Sequence, residues 1–142
     1  MGTPQSVAVV GTGLIGGSIG LALRREGVAV RGFDHDPRRA EAALEQGAVD
    51  ELASDISGAV AGADLVVVAV PVGRVADVVI QALDAGATLV SDVGSVKAPL
   101  VAAVEAARPA TAPRYVGGHP MAGSEQEGLD GANPDLFVGA TW

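Results

Sequence analysis

Residues 7–16 read Val7-Ala8-Val9-Val10-Gly11-Thr12-Gly13-Leu14-Ile15-Gly16. A short run of small apolar residues that stops at glycine suits a strand buried on both faces, as in a parallel sheet. The glycines that follow fit G-x-G-x-x-G, a pattern that carries weight where it follows a strand and opens a helix. Leu14 to Arg25 reads as that helix, with Ile15, Ile19, Ala22 and Leu23 on one face. Each glycine then has a physical task. Gly11 permits a tight turn, Gly13 lets backbone approach a pyrophosphate, and Gly16 lets the helix pack close on the strand. The N–H groups near Leu14 and Ile15 face the phosphates at the positive end of the helix dipole.

Outward from this unit the same alternation recurs. Val28 to Phe33 reads as a second strand. Asp36-Pro37 opens a second helix, with aspartate as N-cap and proline in the first turn, and Gly47 stops it. A weak strand near Val49 and a short helix from Ile56 to Ala61 follow. Leu65 to Ala69 is the clearest strand, ended by Pro71. Val75 to Leu83 reads as helix, Thr88 to Ser91 as strand, Ala98 to Ala107 as helix, 109–113 as a linker, and Tyr115-Val116 as a sixth strand. Strands alternating with helices across short connections predict an α/β fold: a doubly wound, mainly parallel sheet of Rossmann type with helices on both faces. Beyond residue 118 the pattern breaks. Residues 120–134 read as an ordered loop, and Phe137 to Trp142 as an extended apolar segment.

Composition narrows the function. The chain has 142 residues, enough for one domain and one core. It carries 9 basic and 17 acidic residues, net -8, which argues against a nucleic-acid partner, because neutralising phosphates needs clustered cations. Only four aromatics are present, Phe33, Tyr115, Phe137 and Trp142, so base stacking is an unpromising mode as well. Cysteine is absent, which removes disulfides and thiolate chemistry. The apolar run 65–72 is far shorter than the roughly 20 residues of a membrane span. The N-terminus lacks the basic region of a signal peptide. A cytoplasmic protein with no membrane or nucleic-acid partner is the expectation.

Chemistry-bearing residues fall at the ends of the strands. Asp34 ends the second strand, 18 residues after Gly16, where a carboxylate can accept hydrogen bonds from the adenosine ribose hydroxyls. A 2′-phosphate there meets a like charge, so NAD is expected over NADP, although Arg38 and Arg39 lie near enough to blur the distinction. In a doubly wound sheet of order 3-2-1-4-5-6, ligands sit outside the carboxyl ends of the strands. That edge then carries the glycine loop, Val70-Pro71 after strand four, Asp92-Val93-Gly94-Ser95 after strand five and Gly117-Gly118-His119-Pro120 after strand six. Ser95 and His119 are expected to converge on the nicotinamide half. Histidine is a natural base for an alcohol proton, since its ordinary pKa of about 6.5 lies near working pH. Each has a plainer role open to it: Ser95 as a helix N-cap, His119 as a loop hydrogen-bonder. The other histidine, His35, is expected at the solvated adenosine side, and Lys97 as a surface cation. Glu125 and Glu127 have no histidine at ligand spacing, so no metal is expected.

Three segments together, Gly11-Thr12-Gly13-Leu14-Ile15-Gly16-Gly17-Ser18, Asp92-Val93-Gly94-Ser95-Val96-Lys97 and Gly118-His119-Pro120-Met121-Ala122-Gly123-Ser124-Glu125, resemble the prephenate dehydrogenase family. The first is shared by many dinucleotide-binding proteins; the other two, in this order, are far more specific. The resemblance covers essentially the whole chain, as the family's N-terminal nucleotide domain, residues 1–142. It implies NAD(P)-dependent oxidative decarboxylation of prephenate to 4-hydroxyphenylpyruvate, or of arogenate to tyrosine. It also implies that His119 hydrogen-bonds the substrate's ring hydroxyl, that Ser95 orients the pair, and that Ser124 and Glu125 border the substrate entrance. Gly11, Gly13, Leu14, Ile15, Gly16, Asp34, Val70 and Pro71 remain the expected cofactor contacts. The family's C-terminal helical domain, with further substrate-binding residues and much of the homodimer contact, is expected to lie outside this chain. Two other readings remain: an NAD(P) oxidoreductase for another small hydroxy acid or an imine, and a non-catalytic dinucleotide-binding module.

Overall fold

Strand β1, Ser6–Val10, lies at the centre of a six-stranded, wholly parallel sheet of order β3-β2-β1-β4-β5-β6. The computed structural model describes residues 2–118 and 132–138. The remaining strands are β2 Ala29–Phe33, β3 Glu51–Leu52, β4 Leu65–Val68, β5 Val90–Asp92 and β6 Tyr115–Val116. The helices are α1 Leu14–Arg25, α2 Pro37–Glu45, α3 Ile56–Val60, α4 Val72–Asp84 and α5 Ala98–Ala107. β1 pairs Val10 with Phe33 on one side and Val10 with Val68 on the other, so the ends of β1, β2 and β4 are level.

Alternate side chains of the central strands divide between two cores. Val7, Val9, Val30 and Val67 pack with Ile19 of α1 and Ala43 of α2 on one face. Ala8, Val10, Val66, Val68 and Val90 pack with α3, α4 and α5 on the other. Strands covered on both sides have no polar face, and that is why they read as continuous valine runs. Among the described residues the twelve largest fully buried side chains are all valine; seven lie in strands, where the β-branch suits a pleated sheet between helix layers.

Helix α1 sits unusually close to its neighbours. A Cβ at Gly16 would collide with the Gly11 carbonyl oxygen, and one at Gly20 with that of Ala48. Gly11 itself has φ +97°, a conformation costly for any residue with a side chain, and a Cβ there would collide with the Ala69 carbonyl oxygen. Asp36 caps α2 by accepting the Arg38 N–H at 3.0 Å, as its position before Pro37 predicts. That bond holds the Asp36 carboxyl below its ordinary pKa.

Several boundaries differ from expectation. β3 is two residues at 51–52 rather than a strand near Val49; Val49 instead fills the space above Gly32. α4 begins at Val72, directly after Pro71, which supplies a fixed φ at the helix start. β5 is shifted to Val90–Asp92, because Val90 and Asp92 are the residues paired with Val66 and Val68. The 109–113 linker closes in a 3₁₀ turn, Ala112–Arg114. Phe137 and Val138 lie in a turn rather than an extended segment. That turn is held on α1: the Asn133 N–H donates to Ser18 Oγ at 2.9 Å, Arg25 pairs with Asp135 at 2.5 Å, and Phe137 joins the core face of α1. Most of 120–134 and all of 139–142 lie outside the described residues.

Replacing a helical glycine by alanine ordinarily favours the helix. At Gly20 the opposite is expected: Gly20→Ala lowers stability by about 1–3 kcal/mol, as overpacking does, read as a fall in Tm and in the denaturant midpoint. A rise in Tm would contradict the close approach of α1 to Ala48.

Candidate functional site

The carboxyl ends of β1, β2, β4 and β5 meet at one edge, and the glycine loop lies at its centre. Its shape is fixed by backbone: the Gly11 N–H donates to the Phe33 carbonyl at 2.8 Å, and the Ala69 N–H to the Val10 carbonyl at 2.7 Å. Gly13 stands at the N-cap of α1 with no side-chain cap, and a Cβ on it would meet nothing within 4 Å. Bare backbone therefore faces open space at the positive end of a twelve-residue helix. The first-turn N–H groups of an α-helix lack partners within the helix, and an anion satisfies them.

Asp34 closes this loop from the β2 side. Its side chain is buried, with Oδ2 accepting the Thr12 N–H at 2.9 Å and the Thr12 hydroxyl at 3.1 Å, and Oδ1 accepting the Asp36 N–H at 2.9 Å. The carboxylate thus braces the loop as well as lining the cavity, a role not evident from its spacing alone. The cavity over β1 and β2 is lined by Gly11, Gly13, Phe33, Asp34, His35, Arg39, Ile56, Val70, Pro71 and Arg74 among others. Arg39 faces it, whereas Arg38 is 93% exposed. His35 is largely exposed and lies 3.2 Å from Arg74 Nη1, at the solvated rim as expected.

A second depression shares Gly13, Ala69, Val70 and Pro71 with the first and adds Leu14, Ile15, Val93, Gly94 and Ser95. The two form one trough along the sheet edge, from Asp34 across the glycine loop to Ser95. Gly11, Gly13, Leu14, Ile15, Asp34, Val70 and Pro71 are all brought to it. Gly16 is not in the lining; it lies under the loop, where its missing side chain admits the Gly11 carbonyl. Ser95 is exposed at the far end and does not cap α5, whose N-cap position is Lys97. His119, Ser124 and Glu125 lie outside the described residues.

Sequence reasoning overlooked the side chain that organises the β5–β6 end. Asp92 is fully buried and bonded to the Gly94 N–H, the Lys97 ammonium, the Tyr115 hydroxyl and the Gly118 N–H. Lys97, expected at the surface, is 27% exposed and paired to it. Burial, and then the hydrogen bond to Asp92, raise the Tyr115 phenol above its ordinary pKa, so it remains a donor. The signal available was an acid at the end of a strand, five residues before the chain's sole lysine. Among the described residues no cluster of three or more His, Asp or Glu could hold a metal ion, and no helix is long and apolar enough to cross a membrane.

Known proteins share this architecture and much of this sequence. The family described as prephenate dehydrogenase, nucleotide-binding domain, matches residues 19–142. The prephenate dehydrogenase of Bacillus subtilis (strain 168) is 35% identical over 141 residues, covering 96% of this chain and 38% of that protein. The structure of prephenate dehydrogenase from A. aeolicus, in complex with hydroxyphenyl propionate and NAD+, superposes with a TM-score of 0.85 at 32% identity, covering 99% of this chain and 49% of that one. Synechocystis arogenate dehydrogenase gives a TM-score of 0.84 at 32% identity, covering 95% and 48%. The chain therefore spans less than half the length of these relatives. A glycine loop open to an anion, a sheet of this order and an alignment along nearly the whole chain agree, and the chain belongs to the prephenate dehydrogenase family, within its nucleotide-binding domain.

Proposed function

We propose that this chain is the dinucleotide-binding part of an NAD-dependent dehydrogenase that converts prephenate to 4-hydroxyphenylpyruvate, or arogenate to tyrosine, with loss of carbon dioxide. The observation that carries this reading is the trough that runs from Asp34, past the open backbone at Gly13, to Ser95. The A. aeolicus relative, crystallised with hydroxyphenyl propionate and NAD+, supports it. Further substrate contacts and the homodimer interface are assigned to a helical domain beyond this chain, and the protein to the cytoplasm, with no nucleic-acid or membrane partner.

The residues fit such a cofactor. The α1 N-terminus and the bare Gly13 backbone receive the diphosphate, because they present unpartnered N–H groups and no side chain in the way. Asp34 orients the adenosine ribose with the one carboxylate lone-pair site left over from bracing the loop, and Val70 and Pro71 support the middle of the molecule. Once bound, the nicotinamide supplies the hydride acceptor. His119 accepts a hydrogen bond from the substrate's ring hydroxyl, takes its proton as the hydride leaves, and returns it to the phenolate oxygen once carbon dioxide has gone. Ser95 holds that hydroxyl and the imidazole in register, and Ser124 and Glu125 line the approach. The carboxylate leaves as carbon dioxide and the ring becomes aromatic, so the protein's contribution is positioning and one base.

Binding to the folded state alone raises stability with the logarithm of ligand over Kd. NAD is accordingly expected to raise Tm more than NADP at equal concentration. Equal or reversed shifts would remove the discriminating role of Asp34 and transfer weight to Arg39 and Arg74 at the same rim. In the naturally encoded enzyme, NADH should form with prephenate or arogenate. His119→Asn should lower kcat by roughly 10²–10⁴, the usual worth of a general base, with Kd for NAD within twofold of the parent. Turnover that survives the substitution would make His119 structural. NADH formed only with another hydroxy acid, or with none, would favour a different oxidoreductase or a binding module.

A further inference from the structure

One carboxylate holds both loops at the nicotinamide end of the trough. Asp92 Oδ2 accepts the Gly94 N–H at 2.7 Å and is paired with the Lys97 ammonium. Asp92 Oδ1 accepts the Tyr115 hydroxyl at 2.7 Å and the Gly118 N–H at 3.4 Å. Gly94 directly precedes Ser95, and Gly118 directly precedes His119. The two backbone N–H groups nearest the expected reacting pair therefore converge on two oxygens of one rigid group. The loops are also fitted tightly around it. A Cβ at Gly94 would lie 2.9 Å from Asp92 Oδ2, and one at Gly117 would lie 3.1 Å from Lys97 Cδ.

Stability is a weak reason for such an arrangement. Asp92 is 0% exposed, and a buried ion pair roughly balances its desolvation cost, so well-packed apolar residues often serve as well or better. What apolar residues cannot do is fix two separate loops by directed hydrogen bonds. The partners come from four places: the β5–α5 loop, the start of α5, the first residue of β6 and the loop that follows β6. We propose that Asp92, with Lys97 and Tyr115, is a positioning unit that sets the placement of Ser95 relative to His119. The unit rests on the functional reading above for the roles of those two residues; its own geometry does not. Its three side chains line neither part of the trough, and it lies away from the glycine loop and Asp34, where the diphosphate and adenosine are placed, so its effect falls on turnover far more than on dinucleotide affinity.

The test uses the naturally encoded enzyme with Asp92→Asn, Lys97→Met and Tyr115→Phe. Misplacing reacting groups by an ångström can cost about 10²-fold in rate. Asp92→Asn is expected to lower kcat by about that factor and Tyr115→Phe by roughly tenfold, with Kd for NAD within twofold of the parent in each. Tyr115→Phe decides the matter if Asp92→Asn does not fold, because it deletes one hydroxyl and keeps the ion pair. A fall in Tm with kcat unchanged in Tyr115→Phe and Lys97→Met would overturn the proposal, as would parallel loss of kcat and NAD affinity. If the parent turns over neither prephenate nor arogenate, the functional reading fails and the positioning unit is judged separately. The His119 ring signals, assigned by their disappearance in His119→Asn, are then followed by NMR at fixed pH. Shifted or broadened His119 signals in Tyr115→Phe support the unit; signals identical to the parent's overturn it.

Discussion

The close approach of α1 to the sheet is the constraint on which the trough depends. It exists because Gly16 and Gly20 present no side chain to the carbonyl oxygens of Gly11 and Ala48. A helix held at that distance aims its N-terminus at the end of β1, and Gly13 then presents only backbone to the space beyond. The cost of glycine in a helix, up to about 1 kcal/mol for each residue relative to alanine, is offset by packing that a larger residue would forbid. The position of the anion-facing N–H groups is thus a consequence of steric absence below them.

Two acids at strand ends perform the same task in the two halves of the sheet. Asp34 at the end of β2 and Asp92 at the end of β5 are both buried. Each bends back to accept the N–H two residues further on, Asp36 for one and Gly94 for the other. Each also reaches across to a neighbouring loop, through Thr12 and through Gly118. Backbone N–H groups in loops cannot join the sheet ladder, and an unpaired buried donor is costly. A short carboxylate with four lone-pair sites satisfies several at once and fixes the spacing between loops.

This explains which parts of the molecule were legible in the sequence. The central strands were, because burial on both faces leaves valine runs with no polar alternation, and α1 was, because the glycines make sense only against a strand. The sheet order and the trough followed from that alternation. β3 was misplaced because two residues of strand leave no periodicity, and the space beside Gly32 drew Val49 into the core. β5 was shifted because β-branched Thr88 and apolar Leu89 make as plausible a strand start as Val90; register with β4, a long-range property, fixes the limits. The Asp92–Lys97 pair was missed for a related reason. A cation at a helix start is ordinarily solvated, and the carboxylate that holds it is enclosed by the sixth strand, whose Tyr115 lies 23 positions after Asp92.

Tyr115 is the chain's single tyrosine, and one tryptophan, Trp142, accompanies it. A phenol whose proton is shared with a carboxylate differs in ultraviolet absorption and emission from one in water. The protein thus carries a built-in optical gauge at the joint between its last two strands. Loosening there registers in the tyrosine spectrum with no label attached, against a background of few other chromophores.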